Sequence, residues 1–256
     1  MSEIHYHLTE QSPQKPYIVL MHGLFGSLDN LSMVRKGLNE HFNVLSIDLP
    51  DHGSSAFSER FSFVDYANKI VQLLGLLEIE SSHILGHSLG GKVAMKIALL
   101  YPQVVDSLII ADIAPVAYTP RHQNVFRALN AVDLLAISSR READIIMSEY
   151  LKEPGVSQFL LKSLYQEEDV WRWRFNLKML QRDYHELSAA IVSDSDYTKP
   201  VLFIKGGQSD YIAAEHRETI TQLFPNSQAK IIGSAGHWLH AEKPQIFNRL
   251  VIEFLR

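Results

Sequence analysis

Residues 86–90 read Gly-His-Ser-Leu-Gly and contain the serine best placed in this sequence to act as a nucleophile. A short apolar run precedes them at residues 83–85, and an apolar helical pattern follows over residues 93–100. A strand, a G-x-S-x-G turn and a helix in this order form a nucleophile elbow, which exposes the serine hydroxyl at the edge of a sheet. Ser88 could instead cap the helix N-terminus, but a cap does not require two flanking glycines. The context therefore favours Ser88 as the nucleophile of an acyl-transfer reaction.

A serine nucleophile needs a base that takes its proton, and the sequence offers twelve histidines. His237 fits best because it follows a predicted strand, ends a short turn over residues 233–237 and precedes the last predicted helix. This order places its ring at the carboxyl edge of the sheet, which the elbow also reaches. His240, three residues further on, is the alternative base.

The carboxylate that orients this histidine should lie between the serine and the histidine along the chain. Asp112 and Asp210 both meet that requirement. Asp112 ends the apolar run 107–111, where a carboxylate is costly to bury unless it is paired. Asp210 follows the apolar run 201–204 and precedes His237 by one strand-and-helix unit. The residues alone leave both aspartates open.

Two backbone N–H groups are expected to stabilise the negative charge that develops on the attacked carbonyl oxygen. Leu89, the residue after the serine, supplies the first. The second is predicted in the turn His-Gly-Leu-Phe-Gly at residues 22–26, which directly follows the apolar run 17–21. Taken alone, this turn could be a simple strand-to-helix connection. Beside an elbow, it favours Leu24 as the second donor, with Phe25 next to it.

Apolar runs and helical periodicity alternate along most of the chain. Alternating apolar residues over 4–8 predict an edge strand, and continuous apolar runs predict strands buried on both faces. The predicted strands cover residues 17–21, 43–49, 83–85, 104–113, 201–204 and 229–232, and the runs at 17–21, 43–49 and 104–113 are the ones predicted to be buried. The predicted helices cover residues 30–39, 63–78, 93–100, 213–224 and 244–255. This alternation indicates an α/β fold with a doubly wound, mainly parallel sheet.

The alternation stops between residues 115 and 197, where the sequence has only helical periodicity, with breaks at Pro120 and Pro154. The segment is longer than a crossover between neighbouring strands requires, and ligands of such folds bind beyond the carboxyl ends of the strands. We therefore predict that residues 115–197 form a helical cap on a core of residues 1–114 and 198–256. Alternatively, these helices cover one face of the sheet.

Composition excludes several classes of function. The 256 residues carry a net charge of −5 and no cysteine, so the chain offers neither a basic surface for nucleic acid nor disulfides and thiolate metal sites. No apolar stretch reaches the ~18 residues of a membrane span, and residues 1–7 lack a signal-peptide pattern. We expect a cytoplasmic protein without nucleic-acid or membrane partners, and no oligomeric state is indicated.

Four motifs together resemble those of the α/β-hydrolase superfamily across nearly the whole chain. They are HGLFG at residues 22–26, DLPDHGSS at 48–55, GHSLGG at 86–91 and GHWLH at 236–240. Within the superfamily the chain is most similar to the YbfF-type esterases, on the basis of HGLFGSLDNL at residues 22–31, DIAPV at 112–116, FLLKS at 159–163 and WRFN at 173–176.

The resemblance implies an activity and favours one of the two acids. It implies hydrolysis of small carboxylic esters or thioesters, acyl-CoA thioesters among them, by Ser88 and His237 without a metal or an organic cofactor. It favours Asp112 as the acid, whereas the wider superfamily more often uses the position that Asp210 matches. By analogy, the substrate would be contacted by Phe25, Tyr118, Arg121 and His122. Two alternatives are cleavage of a C–C bond or a lyase reaction by the same groups, and a non-catalytic receptor.

Overall fold

The computed structural model describes residues 3–256, which form a seven-stranded sheet and a separate two-stranded hairpin. The strands in chain order are β1 (Tyr6–Thr9), β2 (Tyr17–Met21), β3 (Asn43–Ile47), β4 (Ser82–His87), β5 (Val105–Ala111), β6 (Leu164–Glu167), β7 (Val170–Trp173), β8 (Val201–Gly206) and β9 (Ser227–Ile232). The strands of the large sheet lie in the order β1-β3-β2-β4-β5-β8-β9. β1 runs antiparallel to β3 at one edge, and all other neighbours are parallel. The predicted edge strand and the predicted mainly parallel sheet are confirmed.

Helices cover both faces of this sheet. In chain order they are α1 (Ser32–Leu38), α2 (Phe63–Leu76), α3 (Leu89–Leu100), α4 (Gln123–Ala131), α5 (Arg140–Ser148), α6 (Pro154–Leu161), α7 (Leu177–Arg182), α8 (Tyr184–Ser188), α9 (Arg217–Leu223), α10 (Leu239–Glu242) and α11 (Pro244–Leu255). One apolar cluster joins the sheet to α1, α10 and α11, and the other joins it to α2, α3 and the segment between β5 and β8. Within residues 3–256, no helix combines the length and the apolar character needed to cross a bilayer.

Successive residues of the central strands pack alternately into the two clusters, and this explains why these strands are continuous apolar runs. In β2, Ile18 and Leu20 belong to the cluster with α1 and α11, while Val19 and Met21 belong to the opposite cluster. All four side chains are fully buried. A strand buried on both faces is mostly apolar, and in β2 the first polar residue after Tyr17 is His22, which follows the end of the strand, where the site lies.

The segment between β5 and β8 contains α4 to α8, as expected, but it also contains the β6–β7 hairpin. The expectation of helices alone was therefore wrong. Each strand has only four residues, and the connecting Glu168 and Asp169 adopt positive φ values of 47° and 64°. Positive φ at both turn positions is the geometry that Asn-Gly or Asp-Gly usually signals. Because this turn contains no glycine, the usual sequence signal for a hairpin is missing.

The chain leaves and re-enters the core at one place, here called the stem and formed by residues 114–118 and 188–191. Its outgoing chain, residues 114–118, and its returning chain, residues 188–191, are hydrogen-bonded to each other. The Tyr118 N–H donates to the Ser188 carbonyl over 2.9 Å, and the Ile191 N–H donates to the Pro115 carbonyl over 3.0 Å. The stem therefore fixes where the inserted segment stands relative to the sheet.

Gly90 lies where α3 begins against the end of β2, and any side chain there would be compressed. An added Cβ would meet the carbonyl oxygens of Met21 and His22. We expect Gly90→Ala to lower the free energy of unfolding by about 3 kcal/mol, because neither backbone can move aside without disturbing the sheet. Urea unfolding followed by circular dichroism measures this change.

Gly75→Ala is the matched control for that substitution. Gly75 lies inside α2, and an added Cβ would have no heavy atom within 4 Å. Alanine there should stabilise the protein by up to about 1 kcal/mol through helix propensity. Equal effects of the two substitutions would contradict the close approach of α3 to β2.

Candidate active site

Ser88 occupies a strained turn between β4 and α3. Its φ of 52° and ψ of −116° lie outside the regions that non-glycine residues favour, at a cost on the order of 1–3 kcal/mol. The flanking glycine at position 86 permits this turn, because a Cβ there would collide with the carbonyl of Gly90. The Ser88 N–H donates to the Ala111 carbonyl of β5 over 3.0 Å. The local sequence thus folds into the predicted strand, turn and helix.

His237 lies in the loop between β9 and α10, with its ring directed at Ser88. Its Nε2 is 3.1 Å from the Ser88 Oγ, and its Nδ1 is 2.7 Å from the Asp112 Oδ2. The Tyr211 ring stacks on the imidazole with 4.0 Å between centroids. The His87 Nε2–H donates to the His237 carbonyl over 2.8 Å, and burial lowers the pKa of His87, so that this histidine is neutral. Both the ring and the backbone of His237 are therefore held in place.

Asp112 is fully buried at the end of β5, in a backbone conformation with φ of 53°. Its Oδ1 accepts the Gly206 N–H over 2.9 Å, and its Oδ2 accepts the Ser209 hydroxyl as well as the His237 ring. These donors replace the water that the carboxylate loses on burial. They also leave its charge facing the imidazole.

Asp210 is separated from the histidine and lies at the surface. Its carboxylate is 77% exposed and forms an ion pair with the Arg121 Nη1 over 2.5 Å. The residues on either side of it, Ser209 and Tyr211, are the ones that contact Asp112 and His237. Of the two aspartates left open by the sequence, the structure therefore brings Asp112, and not Asp210, to the histidine.

The backbone of Leu24 and Leu89 lies beside Ser88. Leu89 begins α3, and Leu24 belongs to the turn after β2, which the Gly90 N–H ties to α3 by donating to the His22 carbonyl over 3.1 Å. Within residues 3–256, neither leucine N–H has a hydrogen-bond acceptor. Both donors are therefore free to bind an oxygen of a ligand.

A cavity of about 50 Å³ is lined by Ser88 and lies between the core and the inserted segment. Its lining consists of Leu24, Ser88, Leu89, Lys92, Ile113, Tyr118, Arg121, His122, Tyr184, Leu187, Ser188 and Tyr211. Half of these residues belong to the inserted segment. Tyr118, Arg121 and His122 are thus at the cavity, where the resemblance placed them. Phe25 is not among the lining residues, because its buried ring packs behind them on Phe126 and Phe175.

The inserted segment forms the roof of the cavity, and the side chains of Tyr118, Arg121 and His122 in it already have partners. The Tyr118 hydroxyl accepts the Ala114 N–H over 2.9 Å and donates to the Tyr211 carbonyl over 2.5 Å. The Arg121 guanidinium lies 4.9 Å from the centre of the Tyr211 ring. His122 Nδ1 lies 2.5 Å from the Tyr184 hydroxyl, and burial lowers the pKa of His122 to about 4, so its ring is neutral near pH 7.

Sequence reasoning missed several residues of this site, among them Lys92, Ser209 and Tyr211. Ser209 and Tyr211 flank Asp210, which the sequence offered as the acid. The loop was therefore identified, but the contacts of these two residues with Asp112 and His237 were not. Lys92 carried a signal of its own, because it is the only charged residue in the first six residues of α3, which are otherwise apolar or glycine. A lysine is almost never fully buried unless it is paired, so a lysine in this apolar stretch predicts a polar partner close to the elbow.

The matching family model is described as "Alpha/beta hydrolase family" and covers residues 18–250. The chain belongs to the alpha/beta hydrolase family. It is similar to esterase YbfF of Escherichia coli, with 39% identity over 93% of this chain and 92% of the relative. It is also similar to a putative esterase/lipase of Haemophilus influenzae, with 37% identity over 98% of this chain and 86% of the relative.

A solved structure extends this comparison to three dimensions. A marine microorganism esterase superposes with a TM-score of 0.95, at 32% sequence identity, over 99% of this chain and all of that chain. The resemblance drawn from the sequence motifs, to α/β hydrolases and within them to the YbfF-type esterases, is confirmed.

Proposed function

We propose that this protein hydrolyses carboxylic esters of small molecules in two steps, through an acyl-enzyme formed on Ser88. The observation that carries the proposal is the hydrogen-bonded line from Asp112 through His237 to the Ser88 hydroxyl. A carboxylate, an imidazole and a hydroxyl in such a line form a triad that generates a serine nucleophile at neutral pH. Membership of the family, with esterases among the relatives at 37–39% identity, makes the chain a carboxylic ester hydrolase.

In the first step, the Ser88 Oγ attacks the ester carbonyl while the His237 Nε2 takes the hydroxyl proton. The resulting imidazolium is stabilised by the Asp112 carboxylate, which accepts the Nδ1–H and itself stays ionised. The free N–H groups of Leu24 and Leu89 donate to the oxyanion of the tetrahedral intermediate. His237 then returns the proton to the departing alcohol, and the acyl group remains on Ser88.

In the second step, a water molecule replaces the alcohol and the same groups act again. His237 takes a proton from the water as its oxygen attacks the acyl carbonyl, and the two leucine N–H groups again receive the oxyanion. The proton returns to the Ser88 Oγ as the carboxylic acid leaves. Every step uses groups of the chain itself, and the proposal includes no metal or organic cofactor.

We extend the proposal to thioesters, acyl-CoA thioesters among them, and to short acyl groups. A thiolate leaves more readily than an alkoxide because a thiol is the stronger acid, so the same groups suffice for both. The narrow cavity beside Ser88 supports a small acyl group. We also propose that residues 115–197 act as a cap, because they supply half of the cavity lining.

A fluorophosphonate probe and a substrate panel test the proposed function together. We expect the folded protein to be labelled at Ser88 and to hydrolyse p-nitrophenyl esters, with kcat/KM falling as the acyl chain lengthens from acetate to decanoate. Short acyl-CoA thioesters should be hydrolysed as well, and EDTA should leave all rates unchanged. Protein unfolded in urea is the control and should not be labelled, because activation of the serine depends on the folded triad.

A folded protein that neither reacts with the probe nor turns over any ester would contradict the proposed activity. Turnover that rises with acyl length would leave the activity standing and contradict the preference for short acyl groups.

A further inference from the structure

Lys92 is buried in the cavity wall, yet the proposed mechanism does not use it. It lies on α3 one turn after Ser88, and its own N–H donates to the Ser88 carbonyl over 3.1 Å. Only 2% of its surface is exposed. A buried ammonium is costly unless it is paired or fully hydrogen-bonded, and within residues 3–256 no carboxylate forms an ion pair with it. The groups that compensate the charge of the ammonium therefore indicate the role of the Lys92 side chain.

The hydrogen bonds that compensate this charge all come from the stem of the inserted segment. The Lys92 Nζ donates to the Val116 carbonyl over 3.0 Å, to the Ser188 carbonyl over 3.2 Å and to the Ala189 carbonyl over 2.5 Å. One of these carbonyls belongs to the outgoing chain and two belong to the returning chain. A single side chain of the elbow helix thus joins both halves of the stem to the core.

The number of N–H donors on Lys92 decides whether this side chain positions the stem or binds a ligand. An ammonium has three N–H groups, and the stem carbonyls take all of them, so none is left for a substrate. Burial lowers the pKa of Lys92 to about 7. The three carbonyl oxygens oppose that effect, because a neutral amine has too few hydrogens for them. The side chain is therefore arranged to position the stem and not to bind a ligand.

The stem in turn carries Tyr118 into the cavity wall. The Lys92 Nζ lies 5.0 Å from the centre of the Tyr118 ring. The hydroxyl of that tyrosine donates to the Tyr211 carbonyl, and the Tyr211 ring stacks on His237. A displacement of the stem would therefore move both the roof over Ser88 and a residue in contact with the proposed base.

We propose that Lys92 is a positioning residue, which fixes the stem on the elbow helix and thereby sets the affinity of the cavity for the ester. This inference rests on the proposed function, since it assigns a role within the same site. The structure also contains a matched lysine for comparison. Lys96, one turn further along α3, donates to the Val192 carbonyl of the returning chain over 3.1 Å, but it lies near the surface and outside the cavity.

Lys92→Met tests the inference, with Lys96→Met as its control. Loss of hydrogen bonds from a buried charged group should raise KM for short p-nitrophenyl esters about tenfold. The kcat per fluorophosphonate-labelled site should change less than about threefold, because His237 keeps its bonds to Asp112 and His87, which lie outside the stem. Lys96→Met should leave both constants unchanged. A role confined to stability would lower the number of labelled sites and leave KM unaltered, and that result would overturn the inference.

A chemical rescue covers the case in which the methionine variant does not fold. The chain has no cysteine, so Lys92→Cys can be alkylated at this site alone in denaturant and then refolded. Aminoethylation restores an ammonium on a chain as long as that of lysine, and propylation gives an uncharged side chain of the same length. We expect only the aminoethylated protein to recover the wild-type KM. Equal recovery with both reagents would overturn the inference.

Hydrogen exchange separates a failure of this inference from a failure of the proposed function. The amide protons of Tyr118 and Ile191 bridge the two halves of the stem. Their exchange should be about tenfold faster in Lys92→Met, and unchanged in Lys96→Met, because local opening of the stem becomes easier. This readout needs no activity. Unchanged exchange at both amides would overturn the positioning role even in an active esterase, whereas an inactive wild-type protein would overturn only the proposed activity.

Discussion

Ser88→Ala is expected to lower kcat for p-nitrophenyl acetate by about 10⁶-fold, which is the order of loss measured when the nucleophile of a serine protease triad is removed. Alanine has no hydroxyl, so no acyl-enzyme can form, and the N–H groups of Leu24 and Leu89 can act only on attack by water. The residual rate should therefore exceed that of the solvent reaction only by what these donors and substrate binding supply, which is about 10³–10⁴-fold in serine proteases. A continuous assay of p-nitrophenol release, together with loss of fluorophosphonate labelling, measures the effect.

The Ser88→Ala protein should remain folded, since alanine tolerates the positive φ of this turn no worse than serine does. Circular dichroism and the urea midpoint check this point. Ser234→Ala is a suitable control, because Ser234 is exposed in the loop before His237, and the carboxylate of Asp112 is bound by Gly206, Ser209 and His237 instead. Turnover by Ser88→Ala within tenfold of the wild type would show that the hydrolysis does not pass through this serine.

The inner strands of the sheet could be predicted from the sequence because they are buried on both faces. The run at residues 17–21 matches β2 residue for residue, and the predicted last helix matches α11. Both have one dominant pattern and a clear start, with Pro16 before the strand and Pro244 at the first turn of the helix. The β6–β7 hairpin was not predicted, because its strands of four residues offer too few positions for an alternating pattern to stand out from a helical one.

The two ends of the triad could be located because each lies in a local pattern. Ser88 is marked by its glycines and by the strand and helix around it, and His237 is marked by the turn between the last strand and the last helices. Such signals span about ten residues and do not depend on the rest of the fold. The same holds for the N–H groups of Leu24 and Leu89, which belong to backbone turns.

The choice between the two aspartates had no local signal. Asp112 and Asp210 follow β5 and β8, which are neighbours in the sheet, so both reach the same edge. Their separation depends on contacts between residues far apart in the chain. Asp210 is held by Arg121, 89 residues away, while Gly206 and Ser209 hold Asp112. Pairings of this kind depend on tertiary structure, and the role of Lys92 in the stem was hidden for the same reason.

The second large effect on kcat is expected when Asp112→Asn is compared with Asp210→Asn. We expect Asp112→Asn to lower kcat by about 10⁴-fold with little change in KM, as removal of the triad carboxylate does in serine proteases. The Gly206 N–H continues to donate to the amide oxygen, so the amide NH₂ is turned towards the His237 Nδ1. An imidazole that accepts there carries its proton on Nε2 and cannot take the proton of Ser88.

Asp210→Asn should change kcat by less than about threefold, because an exposed ion pair such as that with Arg121 contributes little free energy. The two variants differ from the wild type by the same loss of one carboxylate charge, so the comparison isolates position from charge. Initial rates on p-nitrophenyl acetate, normalised to correctly folded protein by circular dichroism, measure both.

A loss of several orders of magnitude in Asp210→Asn with an active Asp112→Asn would require the loop after β8 to bring Asp210 to His237 during turnover. The structure opposes such an exchange, because Asp112 is fully buried with its donors in place, whereas Asp210 would first have to leave Arg121 and displace Ser209.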